Sequence, residues 1–136
     1  MNMEKDYGKS LMEKANQATK HAHAPYSKFH VGAALLTEKG NIFTGCNVEN
    51  ASYGLTMCAE RNAIFAAVNT EGPDMKIRSI AVAIGNNLPG SPCGACRQVI
   101  SEFSTRQGAK TEVIYPTRDG IVSKTIDELL PGAFAF

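Results

Sequence analysis

The sequence predicts an α/β fold: a three-layer α/β/α sandwich around a mixed sheet of about five strands. Three observations carry this. Apolar runs of strand length alternate with helix-period stretches along the chain, the pattern of a sheet covered by helices. A turn at Glu38-Lys39-Gly40 joins two such runs into a hairpin, so one strand pair is antiparallel. Arg78 to Gly85 is almost wholly apolar, as expected of a central strand covered on both faces.

Taken in order, Lys5 to His21 carries Tyr7, Leu11, Ala15 and Ala18 at helical spacing, with Ala22 next in the series, which predicts a first amphipathic helix closed by Pro25. Ala24 to Lys28 is a loop. Phe29 to Leu36 and Asn41 to Val48 are the hairpin strands, and Glu49 to Gly54 is a polar loop leading to Cys58. There a second helix begins, with Ala59, Ala63, Ile64, Ala67 and Val68 as its buried stripe, stopping between Asn69 and Pro73. After the central strand, a loop from Asn86 to Pro92 enters a third helix, from Cys93 or Gly94 to about Thr105, with Cys96, Val99, Ile100 and Phe103 facing inward. Glu112 to Tyr115 and Ile121 to Ser123 are strands about a turn at Thr117 to Gly120. Thr125 with Glu128 has capping-box form and starts a short helix ending at Pro131. The strand-helix-strand units after the hairpin are expected to be parallel with right-handed crossovers.

At 136 residues the chain fits one domain, 1–136, long enough to bury roughly two-thirds of its unfolded surface. Its net charge is +1, and the 14 Lys and Arg residues form no cluster, which argues against nucleic acid as a partner. The first six residues have no apolar leader, and no run approaches the roughly 20 residues needed to cross a bilayer. A cytosolic, membrane-free protein is the expectation. Four cysteines in a reducing compartment then read as metal ligands or small buried hydrophobes rather than disulfides.

Cys93 and Cys96 have the two-residue spacing that lets both sulfurs reach one tetrahedral metal. Cys58 also stands at the mouth of a predicted helix. Unpaired N–H groups and the positive helix end favour thiolate at such positions. Cys58, Cys93 and Cys96 are therefore the candidate ligands of one Zn²⁺. Three thiolates leave the metal a weaker Lewis acid than three histidines would, so charge must be drawn from the sulfurs. Arg61 is the candidate donor to a ligand sulfur; a solvated surface arginine is the alternative. Glu60 is the candidate proton carrier beside the metal. Residues i and i+2 of a helix point roughly 200° apart, so Cys58 must lie at the helix mouth if both face one pocket. Cys46 leaves open a closed four-thiolate structural site, although its place in a strand favours a buried small residue.

These segments resemble the zinc-dependent cytidine deaminases, specifically the small homotetrameric kind with three cysteine ligands. The likeness rests on Ala24-Pro25-Tyr26-Ser27-Lys28-Phe29, Val31 to Leu35, Gly45 to Gly54, Cys58-Ala59-Glu60-Arg61, Ser91 to Gln98 and Glu128 to Phe134, and it covers nearly the whole chain. The resemblance implies hydrolytic deamination of cytidine and 2′-deoxycytidine at C4, with water activated at zinc and Glu60 shuttling protons. It implies that Asn47 and Glu49 hold the ribose 3′-hydroxyl, the Ala59 amide the ring O2, and the Ser91 carbonyl the exocyclic amine. Phe29 would pack on the nucleoside. Phe134 would stack on the base in a neighbouring subunit's pocket, giving a homotetramer with shared active sites. From the residues alone, Asn47 and Glu49 share one face of a strand end, which also suits loop solvation, and Phe29 and Phe134 also suit a core. Tyr53 is a further candidate interface residue, and His21, His23 and His30 lack ligand spacing to the cysteines. Two other readings stay open: a relative acting on another cytosine compound or on a nucleic-acid base, and a non-catalytic zinc-stabilised binding module.

Overall fold

The computed structural model describes residues 3–105 and 110–136, residues 3–6 by their backbone alone. The expectation for the chain's first two residues lies outside the described part. The elements are α1 (Met3–Ala18), β1 (Val31–Thr37), β2 (Ile42–Cys46), α2 (Ala59–Glu71), β3 (Ile77–Ile84), α3 (Gly94–Glu102), β4 (Glu112–Thr117), β5 (Gly120–Thr125) and α4 (Ile126–Leu129). The five strands form one sheet in the order β2-β1-β3-β4-β5. β1 pairs antiparallel with both β2 and β3, β3 pairs parallel with β4, and β4 pairs antiparallel with β5. The parallel unit expected around the third helix is thus β3-α3-β4. β2 and β3 also run the same way, but β1 lies between them.

Side-chain alternation splits the core in two. Ala33, Leu35, Ile80 and Val113 point to the face covered by α2 and α3, where they meet Ala63, Ile64, Ala67 and Ile100. Ala34, Leu36, Ala81, Ala83 and Ile114 point the other way, against Leu11, Met12 and Ala15 of α1. β1 and β3 are buried along almost their whole length, whereas β2 and β5 are edge strands with exposed positions. That is the three-layer arrangement.

Among the element ends that differ from the sequence reading, three have a clear local reason. β1 begins at Val31 rather than Phe29, because the Phe29 carbonyl and the Val31 N–H are bonded by the Asn47 side chain instead of a neighbouring strand. α1 gives way to a 3₁₀ turn at Thr19–His21, where the Thr19 hydroxyl bonds back to the Asn16 carbonyl at 2.6 Å. α3 stops at Glu102, since the Phe103 carbonyl accepts the Ile77 N–H at 2.8 Å and draws the chain alongside β3. The capping box at Thr125 and Glu128 is formed.

Two glycines let the helices approach the sheet closely. A Cβ at Gly32 would lie 2.0 Å from the Ala15 carbonyl oxygen, and one at Gly45 would lie 2.5 Å from Ala63 N and 2.6 Å from Ala59 O. The second contact seats the first turns of α2 on β2. Asn62 Nδ2, donating to the Cys46 carbonyl at 2.8 Å, fixes the same end. At the far end, Glu71 accepts from Thr37 Oγ1 and Asn41 Nδ2 and ties α2 to the hairpin.

Gly45→Ala therefore forces backbone against backbone and is expected to destabilise the protein by about 1–3 kcal/mol in urea titration. Gly54→Ala is the control: its Cβ meets nothing within 4 Å, and the expected change is within about 0.5 kcal/mol.

Candidate metal centre and active site

Both ligand-bearing segments end in the same geometry. Cys58 is the N-cap of α2 and Cys93 the N-cap of α3, each in extended backbone, and Cys96 sits buried in the first turn of α3. The Cys93 sulfur accepts the Cys96 N–H at 3.5 Å. Because Cys58 precedes the helix instead of lying within it, its side chain and that of Glu60 can face one cavity. β1 and β3 supply the wall behind them.

The sulfurs of Cys58, Cys93 and Cys96 all lie within 4.8 Å of one another, and this is the one metal-capable cluster among the described residues. Cys58 and Cys93 are 3.8 Å apart, close to the edge of roughly 3.8 Å expected between thiolates bound tetrahedrally at about 2.3 Å. The donor set fits zinc. Cys46 is outside it: it lies in β2 opposite Gly32, which leaves three protein sulfurs and disposes of the four-thiolate arrangement.

Electrostatics follow from the crowding. A hydrogen bond from Cys96, then those from Arg61 and Cys93, pull the Cys58 thiol down to about 5. Cys96 is pushed up by its bond to Cys58, by burial and by the nearby Glu60. Binding of a dication would release protons from such a cluster. Arg61 Nη2 donates to Cys58 Sγ at 3.3 Å, and the sulfur in turn holds the guanidinium firmly charged. Glu60 is only 4% exposed, and burial, reinforced by Cys58, raises its carboxyl above the usual range. A carboxyl so placed suits proton transfer near neutrality.

A cleft of about 420 Å³ opens over these groups. It brings together Phe29, Asn47, Glu49, Cys58, Ala59, Glu60, Ser91 and Cys93 of the residues expected from the sequence. Phe134 is not among them. It is 68% exposed and stacks edge-to-face on Phe136, with its carbonyl accepting from Gln98 at 3.1 Å. Asn47 and Glu49 serve the protein itself. The Asn47 amide bonds the Val31 N–H at 2.9 Å and the Phe29 carbonyl at 2.7 Å. Glu49 accepts from the N–H groups of Tyr26 and Ser27 and from the Ser27 hydroxyl, which hold its carboxyl below the ordinary range, the hydroxyl foremost. No histidine side chain lines the cleft, although the His23 backbone bonds those of Asn47 and Glu49, and Tyr53 meets Tyr26 edge-on at the surface.

Two residues escaped the sequence reading. Ser27 lines the cleft, donates to Glu49 and accepts the Phe29 N–H at 3.0 Å. Arg97 donates to the Pro92 carbonyl, the Leu129 carbonyl and the Ser91 hydroxyl. A signal for Arg97 existed: a long side chain in the first turn of a helix leans back toward the loop that enters it.

Residues 5–109 match the family model of the cytidine and deoxycytidylate deaminase zinc-binding region. A curated cytidine deaminase from Sporosarcina psychrophila is 46% identical over 125 residues, covering 92% of this chain and 89% of that one. One from Halalkalibacterium halodurans is 47% identical, covering 91% of each. Among solved structures, the cytidine deaminase from Burkholderia pseudomallei superposes with a TM-score of 0.82 at 44% identity, covering 93% of this chain and 98% of that one.

If three sulfurs suffice, Cys46→Ala binds zinc at wild-type stoichiometry by atomic emission, whereas Cys96→Ala is expected to lose it. Arg61→Gln should weaken zinc roughly 10- to 100-fold in competition with a chromophoric chelator; wild-type affinity would show that the Arg61–Cys58 contact does not tune the metal.

Proposed function

The chain belongs to the cytidine and deoxycytidylate deaminase family, and from that premise we propose that it hydrolyses cytidine and 2′-deoxycytidine to uridine and 2′-deoxyuridine with release of ammonia. The observation that carries this is the buried Glu60 beside three convergent sulfurs at the base of a nucleoside-sized cleft. Cys58, Cys93 and Cys96 would hold a zinc ion, which when bound would supply Lewis acidity to a water molecule. Glu60 takes one proton from the attacking water and passes it to ring N3 as the C4–O bond forms, then takes the remaining proton of that oxygen and gives it to the amine as the C4–N bond breaks and ammonia leaves. Burial keeps its proton affinity high enough to give as well as take. Arg61 draws charge from Cys58 and offsets the donation of three thiolates.

The remaining groups bind and orient. The Ala59 N–H, in the first turn of α2 where no intrahelical acceptor exists, suits the ring O2. The Ser91 carbonyl suits the exocyclic amine, and Phe29 the face of the nucleoside. Asn47 and Glu49 retain room for a ribose hydroxyl. Beyond its bonds to backbone, the Asn47 amide has one N–H and one lone pair left, and beyond two backbone N–H groups and the Ser27 hydroxyl the Glu49 carboxylate has roughly one of its four acceptor sites. The exposed Phe134 at an apolar tail supports insertion into a neighbouring subunit, hence a homotetramer with shared sites. Such an enzyme would work in the cytoplasm, in pyrimidine salvage.

The test is loss of cytidine absorbance on mixing, repeated after chelation, with an oligonucleotide as the polymeric control. Wild type should turn over cytidine, lose activity with its zinc, and leave the oligonucleotide untouched. Glu60→Gln is expected to lower kcat by about 10²- to 10⁴-fold while keeping its zinc and its affinity for nucleoside. Undiminished ammonia release from that variant would end the assignment of Glu60.

A further inference from the structure

We propose that Arg97 is a positioning residue: its guanidinium sets the Ser91-Pro92 segment against the C4 substituent of the substrate, and through that segment discriminates substrate from product. This rests on the reading of the cleft as a cytidine site.

The segment before α3 has little else to hold it. Pro89 and Pro92 have no N–H to give, and between residues 89 and 92 the described residues show a single backbone–backbone bond, from Gly90 N–H to the Pro116 carbonyl at 3.0 Å. Arg97 fills that gap from the side. Its Nε donates to the Pro92 carbonyl at 2.8 Å and its Nη2 to the Ser91 hydroxyl at 3.0 Å. The third bond, Nη1 to the Leu129 carbonyl at 2.9 Å, anchors the fork to the last residue of α4. The planar guanidinium reaches three acceptors on two segments at once, which a lysine ammonium does not reproduce in that geometry. Arg97 does not line the cleft; Ser91 does. The guanidinium therefore acts through the loop and not on the substrate.

Chemistry at C4 tells positioning from simple stability. Cytidine carries an amine there, which a carbonyl can accept from; uridine carries an oxygen, which offers the same carbonyl nothing. A displaced Ser91 carbonyl should weaken handling of cytidine and leave uridine binding alone.

The test compares Arg97→Lys and Ser91→Ala with wild type. Ser91→Ala removes one arm of the fork at an exposed position, so it reports even if the arginine variant fails to fold. For Arg97→Lys, kcat/KM for cytidine is expected to fall roughly tenfold to a hundredfold, as a small misplacement can cause. Uridine affinity by calorimetry should stay within about twofold, with zinc content unchanged. Ser91→Ala should show the same selective loss, smaller in size. Parallel loss of cytidine and uridine, loss of zinc, or wild-type kcat/KM in Ser91→Ala would each overturn the proposal. If the cytidine-site reading itself were wrong, wild type would turn over no cytidine, which separates the two failures.

Discussion

Three sulfurs crowded within 4.8 Å of one another are the constraint on which this structure turns. Bare thiolates at that spacing repel, and bare thiols cannot all be satisfied by sharing protons. The fold answers with positive potential from two helix N-termini and from the Arg61 guanidinium. Cys58 is drawn toward thiolate by Cys96 first and then by Arg61 and Cys93, and Cys96 is pushed the other way. The cluster is thus a site whose protein groups are arranged for a cation.

Holding two helix ends so close depends on small residues away from the site. α2 can bring Cys58 and Glu60 forward only because Gly45 offers no side chain to Ala59 and Ala63. Gly32 does the same for α1 on the opposite face. The central strands are rich in alanine for the same reason, with Ala33, Ala34, Ala81 and Ala83 all buried. Thin strands let both helical layers sit close to the sheet. The sheet's role is to fix where the helices begin.

Much of this was legible in the chain. Helix mouths at Cys58 and Cys93 follow from local signals: a Pro-Cys-Gly turn, a cysteine ahead of a periodic stripe, and ligand spacing that matches tetrahedral sulfur. The sheet followed from two nearly continuous apolar runs and one turn. What stayed hidden were bonds between side chain and backbone over long sequence separations. Asn47 reaches segments sixteen and eighteen residues away, and Glu49 those twenty-two and twenty-three away. Such bonds leave no periodic trace. The early start assigned to β1 comes from the same cause, because Phe29 looks like strand but is held by an amide.

That amide has a consequence for how a ligand would be received. Because Asn47 already clamps Phe29 and Val31, and Glu49 already gathers Tyr26 and Ser27 around itself, the rim of the cleft is shaped before anything enters. An arriving sugar would meet a finished ledge and would not have to order a loop. The entropy of building that ledge is spent once, during folding, so weak polar contacts with a small solute can still hold it.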